Sequence, residues 1–273
     1  MIDADIKGFF DNVDHDILLD IVNEKVSDGS ILKLIRKFLE AGVLKDGEFM
    51  ETTVGTPQGG VISPLLANIY LHHLDRRLEE RGYRFVRYAD DFLVFCNTKE
   101  EAEHGLQFIK QVLKEELKLD LNTDKTSIAY ISYKRYEKGK QRPERKDINF
   151  LGFRINRYHT VPRKRSVERF KDKIRQETKR SWTRDTKEMI HSINRKIRGW
   201  ANYYKHGSVK TLFSELDAWI RTRIRLNLGK RKVKDFKLNK HYMSISKYKY
   251  TNRDLLKMGL KSLSRIKEKP PAP

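Results

Sequence analysis

Arg84-Phe-Val-Arg-Tyr-Ala-Asp-Asp-Phe-Leu-Val-Phe95 is the stretch from which the rest of the chain is read. β-Branched and aromatic residues flank a short polar centre, the pattern of two strands joined by a tight turn. Asp90 and Asp91 fall at its tip. Two carboxylates about 4 Å apart repel by roughly 1–4 kcal/mol between bulk water and a protein surface. The pair is tolerated if the tip is solvated, since turns favour aspartate, or if a divalent cation offsets the repulsion. The hairpin alone leaves both explanations open.

Upstream, Met1–Phe10 reads as a strand in which Ile2, Ala4 and Ile6 alternate with Asp3, Asp5 and Lys7. Burying the apolar set puts the polar set together on the opposite face. Asp14 is placed to cap a helix with the stripe Ile17, Leu18, Ile21, Val22, and Ser30 a second with Ile31, Leu34, Ile35, Phe38 and Leu39. Asp46-Gly47 signals a hairpin. In Gly55-Thr-Pro-Gln-Gly-Gly-Val-Ile-Ser-Pro64, paired glycines suit close approach of another molecule or a plain strand-to-helix loop. Ser63 and Pro64 open a helix whose expected buried side is Leu65, Leu66, Ile69, Leu74 and Leu78.

Downstream, Thr98 and Glu101 form a capping box for a helix. Loop and strand follow over Leu119–Tyr130, then a polar gap from Tyr133 to Lys146, then a strand over Ile148–Ile155. This order predicts an α+β fold with an antiparallel sheet and flanking helices. From Pro162 the apolar period shifts to about 3.5. Ile190, Ile193, Ile197, Trp200 and Tyr204 share one helix face, as do Val209, Leu212, Phe213, Leu216, Trp219, Ile220 and Ile224 on the next helix. A shorter helix runs past Phe170 and Ile174. An all-α second domain is expected, its tryptophans in the core. The division is 1–162, 163–229, and a basic, partly disordered extension over 230–273.

The 273 residues carry a net charge of +21, unevenly spread. Residues 1–130 hold 16 Lys+Arg against 24 Asp+Glu, and residues 131–273 hold 42 against 13. An acidic half with paired aspartates is thus joined to a strongly basic half, which suits a polyanion partner. Arg195, Lys196, Arg198, Lys205, Arg221, Arg223 and Arg225 lie between the apolar stripes, are expected to be exposed, and are the candidate RNA-binding residues. No apolar run approaches the roughly 20 residues of a bilayer span, and the start lacks signal-peptide features. The single Cys96 excludes a disulfide framework and a multi-cysteine zinc site. A cytoplasmic protein with no membrane partner is expected.

If Asp5 and the Asp90-Asp91 tip meet on one sheet, three carboxylates gather where two oxygen-liganded divalent ions would balance them. Mg²⁺ is the expected ion, with Mn²⁺ the alternative. Such a site beside a nucleic-acid-binding half means nucleotidyl transfer.

Asp5-Ile-Lys-Gly-Phe-Phe-Asp11, Pro57-Gln-Gly-Gly60, Tyr88-Ala-Asp-Asp91 and Phe150-Leu-Gly-Phe153 resemble, in order, the palm motifs of reverse transcriptases. The wording of Gly55–Asp75, Arg198-Gly-Trp-Ala-Asn-Tyr-Tyr204 and Leu216-Asp-Ala-Trp-Ile-Arg221 resembles the group II intron reverse transcriptase/maturases in particular. The resemblance implies a reverse-transcriptase palm followed by a helical thumb, the maturase domain that grips intron RNA. It makes Asp5, Asp90 and Asp91 the catalytic, metal-binding residues. It assigns Ile6, Phe10, Gln58, Gly59 and Lys125 to the incoming nucleotide, with Phe10 as the aromatic that excludes a 2′-hydroxyl. Leu151 and Gly152 fall in the hairpin that steadies the primer end. The implied partners are RNA template or intron RNA, a DNA primer and dNTPs. Only four residues precede Asp5, so an amino-terminally truncated member lacking the fingers is expected, completed by a separate fingers segment or a second copy. The alternative is a fragment that binds structured RNA without polymerising.

Overall fold

The computed structural model describes residues 1–45, 48–50, 54–56, 60–131, 147–179, 185–230 and 250–266. These form two compact units, Met1–Ile148 and Asn149–Pro273. Gln58, Gly59, the Asp46-Gly47 turn, Trp182, the whole polar gap and the final Lys269–Pro273 lie outside the described residues.

The first unit is α+β. Its four-stranded sheet has the order β4-β5-β1-β6, with β1 Ile2–Asp5, β4 Arg84–Tyr88, β5 Asp91–Phe95 and β6 Ser127–Ile128. The β1–β5, β1–β6 and β4–β5 pairs are all antiparallel. β1 is shorter than the sequence predicts because Gly8 turns left-handed at φ 53 and starts a 3₁₀ turn, Phe9–Asp11. The alternation holds where the strand exists: Ile2, Ala4 and Ile6 are buried, with Phe92 and Val94 on the same face. Helices α1 His15–Asn23, α3 Ser63–Glu80 and α4 Lys99–Gln111 supply the other side of this core, and α4 runs on into a π-helical turn, Val112–Glu116. A separate hairpin pairs β2 Val43–Lys45 with β3 Glu48–Met50.

Several helix details differ from the periodicity. Helix α2 (Gly29–Leu39) is capped by Asp28, whose carboxylate accepts from Ser30 N–H at 2.7 Å, rather than by Ser30. Of its expected stripe, Ile35 and Leu39 pack as predicted, while Ile31, Leu34 and Phe38 are 44%, 53% and 50% exposed. The packed line is Leu32, Ile35 and Leu39. Both lines are apolar at i, i+3, i+7, so spacing alone cannot choose between them. Helix α3 has Ile62 at its N-cap and buries Tyr70 and Leu71, while Leu65 is 59% exposed. Tyr70 is fully buried because its hydroxyl donates to the Leu117 carbonyl at 2.7 Å. Thr98 caps α4 as expected, but the Glu101 carboxylate accepts from Asn97 N–H.

A three-stranded sheet, β7 Ile148–Phe150, β8 Phe153–Ile155 and β9 Thr160–Pro162, in that order, starts at the last residue of the first unit and otherwise belongs to the second. Three long helices follow: α5 Lys164–Glu177, α6 Thr186–Tyr204 and α7 Lys210–Lys230. Ile190, Ile193, Ile197, Phe213, Leu216, Ile220 and Ile224 are all buried, as their spacing predicts. Trp200 stacks on Phe170 with centroids 4.7 Å apart, a packing role rather than a free stacking platform.

Residues 250–266, read from sequence as part of a weakly patterned extension, instead fold against this bundle. Helix α8 (Asn252–Lys257) buries Leu255, and Leu260 and Leu263 join the same core. The clamp is Asp217, buried on α7. It accepts from the Ser262 hydroxyl at 2.6 Å, Leu263 N–H at 2.8 Å, Ser264 N–H at 3.1 Å and the Ser264 hydroxyl at 2.7 Å. Asp217→Ala is expected to lower stability by ~2–4 kcal/mol, because it leaves buried donors without an acceptor. Denaturant unfolding measures the loss. Unchanged amide protection across 250–266 in the variant would contradict the clamp.

Candidate active site

Antiparallel pairing of β1 with β5 sets Asp5 directly opposite Asp91. Opposed side chains on one face have Cβ atoms roughly 4.5–5.5 Å apart. The β4–β5 register pairs Tyr88 with Asp91, so Ala89 and Asp90 form the two-residue turn. Ala89 takes the left-handed region at φ 54, a conformation costing a non-glycine residue about 1 kcal/mol. This strained turn is what holds Asp90 beside Asp91.

Lys125 lies against Asp5, its ammonium donating to both carboxylate oxygens at 3.0 and 3.1 Å. That contact raises the lysine pKa. The Lys125 side chain is 63% exposed, so the pair is worth at most about 1 kcal/mol and is easily displaced. Among the described residues, no three His, Cys, Asp or Glu side chains converge to hold a metal ion. The donor set nonetheless suits a hard cation: two carboxylates face each other across the sheet, a third adjoins, and a lysine ammonium already sits where positive charge is drawn.

The electrostatics carry the same message. Burial pushes the Asp91 carboxyl up to about 6 from its ordinary 3.8, and the charges of Asp3, Asp5 and Asp90 push the same way, against Lys125. Asp3 shares the face of Asp5 by strand alternation. Its contribution was readable from Asp3-Ala-Asp5 but carries no motif signal.

A raised carboxyl pKa means that the folded state binds the proton more tightly than the unfolded state. Stability therefore falls as pH rises from about 4 to about 6, and the deficit persists above that. Discounted for the half-exposure of Asp91, the deficit is ~1–2 kcal/mol. Without divalent ions, thermal unfolding should show this loss in the wild type. Asp91→Asn should flatten it and raise the melting temperature at pH 7; an unchanged pH profile would overturn this account.

The other expected site residues lie on separate elements of the chain. Phe10 is half-buried on the 3₁₀ turn and packs edge-on against Phe9, centroids 5.2 Å apart. Ile6 is 1% exposed as a whole residue, belongs to the core and bridges to Leu121, so its side chain is a packing residue rather than a surface that meets a ligand. Leu151 and Gly152 form the β7–β8 turn in the second unit, both at positive φ, 46 and 77. A Cβ on Gly152 would meet the Tyr204 hydroxyl at 2.8 Å, and the Tyr203 hydroxyl donates to the Leu151 carbonyl at 2.8 Å.

The basic residues divide. Arg195 and Arg198 are exposed on α6. Lys205 and Arg221 are half-buried. Lys196 pairs with the buried Glu177. Arg223 donates to the Thr178 hydroxyl at 3.1 and 3.2 Å, and Arg225 to the Tyr250 carbonyl at 2.7 Å and the Asn252 side chain at 2.6 Å. Burial lowers the pKa of both arginines. These last three serve the fold, a correction to their reading as solvent-facing. The sequence reading passed over Arg163, Lys164, Arg165, Arg169 and Lys173, which are exposed on and just before α5.

Residues 1–155 match the family described as reverse transcriptase (RNA-dependent DNA polymerase), and residues 167–248 match the group II intron maturase-specific domain. The group II intron-encoded protein LtrA of Lactococcus lactis subsp. cremoris is 29% identical over 300 residues, covering 74% of this chain and 48% of that protein. Protein YkfC of Escherichia coli (strain K12) is 33% identical over 166 residues, covering 48% and 44%. The chain thus spans about half the length of these curated relatives. A structure of apo telomerase from Candida tropicalis aligns with a TM-score of 0.48 at 13% identity, covering 83% of this chain and 45% of that one. No helix among the described residues is long and apolar enough to cross a membrane. On the two family matches, the chain belongs to the reverse transcriptases of the group II intron maturase type.

Proposed function

We propose that this chain carries out RNA-templated DNA synthesis by nucleotidyl transfer at Asp5, Asp90 and Asp91, and holds intron RNA through its basic helices. The palm is taken as 1–162 and the thumb as 163–229. The observation that carries the reading is the register placing Asp5 opposite Asp91, with Asp90 at the adjoining turn.

Enzymes of this family use divalent metal ions, and Asp5, Asp90 and Asp91 are the residues that would hold them here. When bound, such ions activate a primer hydroxyl and stabilise the departing pyrophosphate. The chain's own groups supply the rest. Three acidic side chains hold negative charge at one point of the sheet. Lys125, weakly held by Asp5, is free to swing to a nucleotide triphosphate as a point charge. Phe10 offers a ring edge to the sugar.

Mg²⁺-dependent extension of a DNA primer on an RNA template tests this, with the chain alone and with the amino-terminal segment of a longer relative added. Extension in either arm supports the proposal. RNA binding with no extension in both arms would leave an RNA-binding maturase fragment in its place.

A further inference from the structure

We propose that His15 is a positioning residue that ties the loop entering Gln58-Gly59 to the turn bearing Phe10. The inference rests on the polymerase reading for its purpose, but not for its geometry. His15 begins α1 and is 6% exposed, an unusual place for an imidazole without a partner. Its Nε2 lies 2.6 Å from the carbonyl of Gly55. A carbonyl only accepts, so this ring nitrogen carries the hydrogen.

Two further bonds run between the same segments. Gly55 N–H donates to the Val13 carbonyl at 2.8 Å, and Thr56 N–H to the Phe10 carbonyl at 2.6 Å. Gly55 has φ +91, and a Cβ there would meet the Phe10 carbonyl oxygen at 2.7 Å and the Asp11 carbonyl oxygen at 2.9 Å. Only glycine lets the two backbones close this far. Both segments of this suture are therefore held at their polar atoms, with His15 supplying a side-chain bond. Each leads directly into a residue that the resemblance assigns to the incoming nucleotide: Phe10 on one side, and Gln58 two residues beyond Thr56 on the other.

The consequence is a division of labour. The aspartates act on the reacting atoms, and His15 sets the distance between the turn that bears Phe10 and the Gly55-Thr56 segment. Loosening that distance should weaken nucleotide binding and sugar selection before it slows chemistry.

Three variants test it: His15→Leu, which fills the space without a donor; His15→Gln, which keeps a donor; and Gly55→Ala, which opens the suture from the other side. His15→Leu and Gly55→Ala are each expected to raise KM for dNTP about tenfold with kcat within roughly threefold, and to erode dNTP-over-rNTP preference about tenfold. His15→Gln should recover most of both. An activity-free measurement runs beside them: amide exchange over 54–56 should accelerate about tenfold in His15→Leu and not in His15→Gln. Unchanged exchange, or a KM that stays put while only thermal stability falls, would overturn the proposal. If the wild-type chain extends no primer, the polymerase reading fails by itself, and the exchange experiment still decides whether the tether exists.

Discussion

Asp90→Asn is expected to abolish Mg²⁺-dependent primer extension, by about 10³-fold or more, while RNA affinity stays within about twofold. The amide is nearly isosteric, so the turn keeps its shape and what goes is one negative charge at the tip. Asp5→Asn should do the same, with a different structural signature. Among the described residues its carboxylate is held by the exposed Lys125, so stability should move by less than about 1 kcal/mol. Asp91→Asn should also abolish extension, yet make the protein more stable, since it removes the charge that burial and Asp3, Asp5 and Asp90 oppose. Three chemically identical substitutions with one shared kinetic outcome, of which Asp5→Asn and Asp91→Asn differ in their effect on stability, are hard to produce by general damage. Extension surviving either Asp90→Asn or Asp5→Asn would remove the proposed site.

That site was legible because it depends on backbone pairing. Alternation in Met1–Phe10 fixed which face Asp5 occupies, and the apolar runs around Asp90-Asp91 fixed a hairpin; antiparallel pairing of the two then leaves few registers. The three long helices of the second unit were legible for the same reason, since each has one strongly apolar face. Failures came where two solutions satisfy the same pattern. On α2 the lines Ile31-Leu34-Phe38 and Leu32-Ile35-Leu39 are equally apolar, and only packing against α1 chooses the second. At its start both Asp28 and Ser30 are competent caps, and the aspartate takes the role.

Polar anchors were the other blind spot. Asp217 lies among ordinary charged residues of α7 in the sequence, and its partners are 45 to 47 positions away. His15 is likewise 40 positions from the carbonyl that it binds. No local spacing announces either. Exposure of arginine and lysine was misjudged for a related reason: long stems let these residues reach inward acceptors from the edge of a buried face. Arg223 and Arg225 do so at Thr178, Tyr250 and Asn252.

Affinity for structured RNA is expected to fall ~10³-fold or more between 50 and 200 mM salt, the response of a surface that neutralises roughly six to ten phosphates. The charge balance supports this scale, with 42 Lys+Arg against 13 Asp+Glu after residue 130. Which residues carry it follows from their partners. Arg163, Lys164, Arg165, Arg169 and Lys173 are exposed on one element and its start, with Arg195 and Arg198 exposed on α6. Each phosphate contact removed should lower the salt slope by about one. Arg165→Gln with Arg169→Gln should therefore lower it by about two and weaken binding at low salt. Arg223→Gln should leave the slope unchanged and lower the melting temperature instead, because its guanidinium is spent on Thr178. Filter binding across a salt series, beside thermal unfolding of the same variants, separates the two classes. A flat salt response in the wild type would contradict phosphate recognition, and a reduced slope in Arg223→Gln would return that residue to the RNA surface.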